Sequence, residues 1–280
     1  MENKIEKQII ITGPTSGIGK IIALELAGPA VNLVLGCRDS GRGKQTAEEI
    51  LRRNGAANVE VMLIDTSSQQ SIRDFAHHYR EKHSRLDVLI NNASLSRGML
   101  PRENSVDGIE LTFATNVVGY YLLTHELRDL LVASAPARII NVASEFASDL
   151  DLNDLQFERR PFDSMKAYAQ SKACERMLTW ALARRVAGSN VSANAMTPGL
   201  VTETGLYRDA SPEVMARLRQ RGGRTAEQGA DTAIWLATSP EVEGASGKFF
   251  EQRAEVACQF RNPDAEEQLW NICKQLTGSD

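Results

Sequence analysis

Gln8-Ile9-Ile10-Ile11-Thr12-Gly13-Pro14-Thr15-Ser16-Gly17-Ile18-Gly19 is the stretch that decides the fold. It opens with an apolar, β-branched run, the composition of a strand buried on both faces. A glycine-rich turn follows at once, and then a helical pattern predicted near Gly19–Leu26. A strand, a glycine turn and a helix together make a cradle for a pyrophosphate. The glycines let the backbone approach, and the helix N-terminus offers free N–H groups and a favourable dipole. The spacing is Gly-x-x-x-Gly-x-Gly, not the general GxGxxG. Gly13, Thr15, Ser16, Gly17, Ile18 and Gly19 are the candidate cradle residues. A purely structural turn is the rival reading, and the position one βαβ unit from the N-terminus argues against it.

Beyond this stretch, short β-branched runs alternate with longer helical ones, the signature of βαβ units on a parallel sheet. Further strands are predicted at Asn32–Leu35, Val59–Leu63, Val88–Ile90, Arg138–Asn141 and Val191–Ala195, with Gly247–Phe250 as a late strand at the sheet edge. Helices are predicted near Gly43–Asn54, Ser68–His83, Gly108–Leu131 and Met165–Ala187. Pro263–Leu276 reads as an amphipathic helix with Leu269, Ile272, Cys273 and Leu276 on one stripe, covering the domain or facing a partner. The fold class expected is α/β: a Rossmann-type doubly wound parallel sheet flanked by helices, in a single domain over residues 1–280.

The 280 residues carry a net charge of −4, which gives no reason to expect a nucleic acid partner. No apolar run is long enough to cross a bilayer, and the charged N-terminus leads straight into the first strand without a signal peptide. Cys37, Cys174, Cys258 and Cys273 lie far apart with no metal-ligand spacing. A cytoplasmic protein with neither metal nor membrane anchor is expected.

The second strand ends in Gly36-Cys37-Arg38-Asp39. NAD-selective enzymes usually place a carboxylate there for the ribose hydroxyls, whereas NADP needs a cation for its 2′-phosphate. Cys37 holds the acid's place and Arg38 follows, which favours NADP(H) over NAD(H). Asp39 either pairs with Arg38 or binds a ribose. Further on, Tyr168-Ala169-Gln170-Ser171-Lys172 puts a phenol and an ammonium on one helix face. A neighbouring cation lowers a tyrosine pKa from about 10 toward useful acid/base range. Asn141-Val142-Ala143-Ser144 brings a hydroxyl to the carboxyl end of a strand, where ligands bind in open α/β sheets. Another strand ends in Asn91-Asn92-Ala93, and Asn116 lies in the helical run after it.

Taken jointly and in this order, these features resemble the classical short-chain dehydrogenase/reductase family from Gln8 to about Phe250. TGxxxGxG matches Thr12–Gly19, NNAG matches Asn91–Ser94 with its glycine replaced by Ser94, and YxxxK matches Tyr168–Lys172. The resemblance implies a catalytic tetrad of Asn116, Ser144, Tyr168 and Lys172. It implies that Asp65 is the adenine-contacting acid with Thr66 beside it in the cofactor site, Asn91 and Ala93 line the adenosine side, and Pro198-Gly199 approaches the nicotinamide, followed by Val201 and Thr202. Glu203 falls where the family commonly has threonine, with Thr202 and Thr204 flanking it. Three details resemble the retinol dehydrogenase-like branch: the Cys37-Arg38-Asp39 turn, the Ser144–Tyr168 insertion and Ser246-Gly247-Lys248-Phe249-Phe250.

The activity so implied is NADP(H)-dependent interconversion of a carbonyl (ketone or aldehyde) and an alcohol, as a carbonyl reductase of a hydrophobic small molecule. Tyr168 would exchange the proton, Ser144 bind the reacting oxygen, Lys172 bind ribose and depress the tyrosine pKa, and Asn116 hold a relay water. A lid over about residues 200–223, with Leu206, Tyr207, Val214, Met215 and Leu218, and the Ser144–Tyr168 insertion would shape the substrate pocket. Homo-oligomers through the Gly108–Leu131 and Met165–Ala187 helices fit the family habit. Two rivals are a non-catalytic NADP(H)-binding sensor or scaffold, and an epimerase or dehydratase of the same family. A binding module has no use for the tetrad, and about thirty residues after Phe250 are too few for a sugar-nucleotide domain.

Overall fold

A computed structural model describes residues 7–96, 100–148, 150–202 and 212–279. Its chain order is β1 (Lys7–Thr12), α1 (Gly17–Leu26), β2 (Val31–Cys37), α2 (Ser40–Arg53), β3 (Asn58–Leu63), α3 (Gln69–Lys82) and β4 (Val88–Asn91). Then come α4 (Leu111–Phe113), a π-helical segment (Ala114–Val118), α5 (Gly119–Ala133), β5 (Ala137–Val142), α6 (Ser164–Arg185) and β6 (Val191–Met196). The chain ends with α7 (Pro212–Gln220), α8 (Ala226–Thr238), β7 (Phe249–Glu251), β8 (Ala254–Glu255) and α9 (Pro263–Thr277).

The sheet runs β3-β2-β1-β4-β5-β6-β7-β8, parallel throughout except for the antiparallel β7–β8 pair. Alternate residues of each strand feed opposite cores because the side-chain period is two. Ile9, Ile11, Leu33 and Leu35 pack on the α1/α8 side, whereas Ile10 and Val34 join Phe75, Leu123 and Trp180 on the other. This is the doubly wound α/β fold expected, in one domain. No helix among the described residues is long and apolar enough to cross a membrane.

Several boundaries differ from expectation for local reasons. The Gly108–Leu131 helix starts at Leu111, because Gly108 turns at φ +78° and the Glu110 carboxylate accepts from the N–H groups of Thr112 and Phe113. Asp39 caps α2, accepting from Arg42 N at 3.0 Å, so that helix begins at Ser40. Gly247 turns at φ +70°, delaying the late strand to Phe249, and β8 rather than β7 forms the edge. Helix α8 is not among the helices expected from the sequence, and its local sign is the Thr225/Gln228 capping box.

Helix α9 packs on α6 of its own chain, with Leu269 and Cys273 fully buried and Trp270 edge-on to Tyr121 at 4.8 Å between ring centroids. Leu269→Ala should therefore cost about 2–5 kcal/mol. Chemical denaturation reads this directly, and a loss below about 1 kcal/mol would show that α9 is not part of the cooperative core.

Candidate functional site

At the carboxyl end of β1 the chain enters the glycine turn with Gly13 at φ +68° and Gly17 at φ +51°. A Cβ on Gly13 would lie 2.9 Å from Ala93 Cα, and one on Gly19 would lie 2.3 Å from both Gly13 O and Asn92 Nδ2. Glycine is thus forced at 13 and 19 by the approach of β4's exit to the turn. Ser16 is the N-cap of α1, yet its side chain makes no capping bond, while Asp39, Ser68, Asp163 and Asn262 all cap their helices. The first-turn N–H groups of α1 are thereby left for an anion. A cradle that a Cβ would fill, at an uncapped helix start, fits a dinucleotide pyrophosphate.

What sequence reasoning missed here is Asn92. Its Nδ2 donates to Thr12 O at 2.8 Å and Gly13 O at 3.2 Å, while its own N–H donates to Thr12 Oγ1 at 3.0 Å. Asn91, by contrast, turns its side chain into the sheet, donating to Thr124 Oγ1 and Asn141 Oδ1. Only its backbone is left to line a nucleotide.

Arg38 is exposed beyond β2, and Arg42 of α2 donates to Thr15 O at 3.5 Å across the cradle. Cys37 is buried with its thiol pushed up, mainly by burial. Asp39 spends one carboxylate oxygen on the α2 cap. Asp65 accepts from the Ser67 N–H and hydroxyl, and Thr66 is buried under Gly119, whose Cβ would lie 2.3 Å from Thr66 O. Pro198 and Gly199 leave β6, with Gly199 at φ +71° against the Arg224 side chain. Val201 and Thr202 are buried. Glu203, Thr204, Leu206 and Tyr207 lie outside the described residues; Met215 and Leu218 are half-buried on α7.

Asn116, Ser144, Tyr168 and Lys172 converge at the carboxyl ends of β4 and β5. Asn116 sits in the π-helical segment, a distortion common at functional sites. Its Oδ1 accepts from Leu95 N (2.8 Å) and Ser94 Oγ (3.4 Å), and its Nδ2 donates to Leu95 O (3.0 Å) and Ser171 Oγ (2.9 Å). Both amide hydrogens and both lone-pair positions are taken. Ser144 hydrogen-bonds the Tyr168 phenol and accepts from Phe146 N at 3.1 Å. Its carbonyl accepts from Arg176, a buried residue whose guanidinium also lies 4.0 Å over the Phe249 ring. Phe146 stacks on Tyr168 at 6.4 Å between ring centroids and is 48% exposed, while Met165, in the first turn of α6, is 47% exposed.

Lys172 is fully buried, donating to Glu175 Oε1 at 2.7 Å, Oε2 at 3.0 Å and Val142 O at 3.3 Å. The Tyr168 pKa departs from expectation. Burial first, then the Glu175 charge, push the phenol well above its ordinary value, and only the Ser144 hydrogen bond opposes them. Glu175 adds to the effect of burial and takes up the ammonium expected to act on the phenol.

The comparisons with known proteins fit this geometry. A family model for short chain dehydrogenases matches residues 7–214. The chain belongs to the short-chain dehydrogenase/reductase family. Retinol dehydrogenase 13 of Mus musculus is 35% identical over 97% of this chain and 84% of its own, which puts this dehydrogenase in the retinol dehydrogenase-like branch. A solved structure from Mycobacterium paratuberculosis has TM-score 0.78 and 28% identity, covering 98% of this chain and 94% of that one. Another, from Beutenbergia cavernae, is described as a candidate NAD(P)-dependent gluconate 5-dehydrogenase with NADP bound at low occupancy. It has TM-score 0.70 and 25% identity, covering 88% of this chain and 94% of that one.

In a short-chain dehydrogenase the Asn92 lock has a direct consequence. Asn92→Ala removes both bonds that fix the cradle carbonyls, and should weaken nicotinamide dinucleotide binding about tenfold. Fluorescence titration checks this, with thermal unfolding as the control for global damage. Unchanged affinity would show that the turn holds its shape without Asn92.

Proposed function

We propose that this dehydrogenase is an NADP(H)-dependent oxidoreductase interconverting a ketone or aldehyde with its alcohol, acting as a reductase of a hydrophobic small molecule. The observation that carries the reading is the hydrogen-bonded Ser144–Tyr168 pair, beside Lys172, at the strand ends that also carry the open α1 N-terminus. A sensor or scaffold needs the second of these and not the first.

NADP(H) bound in the cradle supplies the hydride. Gly13 to Gly19 would receive its pyrophosphate, with Asp65, Thr66, the Asn91 backbone and Ala93 on the adenosine side. Pro198, Gly199, Val201 and Thr202 would face the nicotinamide. Arg38 would bind the 2′-phosphate, and Arg42, already over the cradle, would assist it. No carboxylate stands at Cys37 to repel that phosphate. Tyr168 gives its proton to the substrate oxygen in reduction and takes it back in oxidation. Ser144 steadies the same oxygen as charge develops, with Arg176 fixing the Ser144 backbone from behind. Lys172 would bind the nicotinamide ribose. Asn116 has no amide hydrogen to spare, so a relay water would rest on main-chain groups of the π-helical turn. Phe146 and Met165 favour an apolar substrate. The four thiols, none of them in a disulfide, suit the cytoplasm as its place of work.

Tyr168→Phe should lower turnover of apolar aldehydes and ketones at least about a hundredfold while leaving NADPH affinity nearly unchanged. Retained turnover would remove Tyr168 from the chemistry. Arg38→Ala should weaken NADPH binding by about tenfold or more, with NADH binding untouched. Equal losses for the two nucleotides, or none, would overturn the NADP assignment.

A further inference from the structure

Glu175 lies one turn beyond Lys172 on α6, fully buried, with both carboxylate oxygens on the Lys172 ammonium. That ammonium stands 5.5 Å from the Tyr168 ring centroid and 6.0 Å from that of Tyr120. Few other ionisable groups reach the pair. Tyr168, Cys174 and Arg176 come from α6 itself, Tyr120 from α5, and Cys273 from α9 by way of Cys174. β5 contributes the Val142 carbonyl, and the π-helical segment reaches α6 through the Asn116–Ser171 bond. The Arg176 guanidinium attracts Glu175 electrostatically but is itself engaged by the Ser144 carbonyl and the Phe249 ring. Behind the carboxylate a cavity of about 10 Å³ is lined by Tyr120, Thr124, Asn141 and Trp270, at the lower limit for one water.

A lone ammonium beside Tyr168 would draw it toward phenolate, the form that accepts a proton in alcohol oxidation. A carboxylate in contact with the ammonium cancels most of that field, and in a dry interior the cancellation acts at nearly full strength. Resting on the reading of Tyr168 as proton donor, we propose that Glu175 is a positioning residue that binds the Lys172 ammonium, keeps Tyr168 protonated and biases this enzyme toward carbonyl reduction. Burial pushes the Glu175 carboxyl up to about 7 against the pull of Lys172 and Arg176. It therefore gains its charge through the neutral range, and the carboxylate is already formed at any higher pH that would ionise Tyr168.

The test is the pH dependence of kcat/KM for benzaldehyde reduction and benzyl alcohol oxidation in wild type, Glu175→Gln and Glu175→Asp. In Glu175→Gln the pH at which reduction falls and oxidation rises should drop by about one unit or more, raising the oxidation-to-reduction ratio at neutral pH about tenfold. Glu175→Asp, which keeps the charge, should stay close to wild type. A Glu175→Gln profile superimposed on wild type, or Glu175→Asp shifted as far as Glu175→Gln, overturns the proposal. Should Glu175→Gln fail to fold, wild type decides through 13C-tyrosine NMR, with the Tyr168 signal assigned from Tyr168→Phe. Ionisation at or above about pH 10 supports the role, and ionisation below it refutes it. The NMR titration needs no turnover, so it stands apart from the NADPH-binding and Tyr168→Phe assays that test the function itself.

Discussion

The hydroxyl of Thr12 accepts N–H groups from both Asn92 and Ala93 at 3.0 Å, and that junction is the constraint on which the rest of the site depends. The sheet order changes direction between β1 and β4, so a crevice opens at their carboxyl ends. The glycine turn hangs from β1, and the Asn116, Ser144, Tyr168 and Lys172 cluster is carried by the π-helical segment, the exit of β5 and α6. Only three residue pairs register β1 with β4 below the crevice. The Thr12–Asn92–Ala93 bonds close the register at its open end, bringing the two halves near enough that Gly13 and Gly19 have no room for a side chain. The closeness of the glycine turn to the exit of β4 is a consequence of this one side-chain hydroxyl.

Helix α6 carries the second constraint, because it is buried along most of its length and still holds Gln170, Ser171, Lys172, Glu175, Arg176 and Thr179 inside. Buried polar groups need partners, and here the partners organise the site. Gln170 donates to Leu155 O and accepts from Arg160 and Asp151 N, tying down the insertion that bears Phe146. Ser171 holds Asn116, Arg176 holds Ser144, and Thr179 accepts from Asn141. Phe146, stacked on Tyr168, thus belongs to a segment fixed to the same helix that bears the phenol.

Local pattern made the strands, the glycine cradle and the YxxxK helix legible, because each is a short-range signature. Period-two burial marks β1 and β2, and the phenol and ammonium share a face through i,i+4 spacing. Helix α8 escaped because, apart from Leu236 and Thr232, its buried face is built from Ala226, Gly229, Ala230, Ala233 and Ala237, small residues with weak periodic contrast. Asn92 and Arg176 escaped for a different reason. Their partners, Thr12 and Ser144, lie 80 and 32 residues away, distances over which one sequence gives no pairing. Glu175 was hidden in plain view: three residues from a lysine, it reads as a solvated helix pair until the fold removes the solvent.

Removing that solvent also separates the two ends of the site electrostatically. At the nucleotide end Arg38 is exposed and Arg42 reaches over the cradle, so charge there is available to a phosphate and screened by salt. At the chemical end Lys172 and Glu175 cancel within a dry core, where any uncompensated charge would act at long range and high cost. The binding end can therefore attract an anion without imposing its field on the phenol. What the phenol experiences is set by burial, by Glu175 and by the Ser144 hydrogen bond. Its proton affinity is set in the protein's interior, away from the exposed cations at the other end of the crevice.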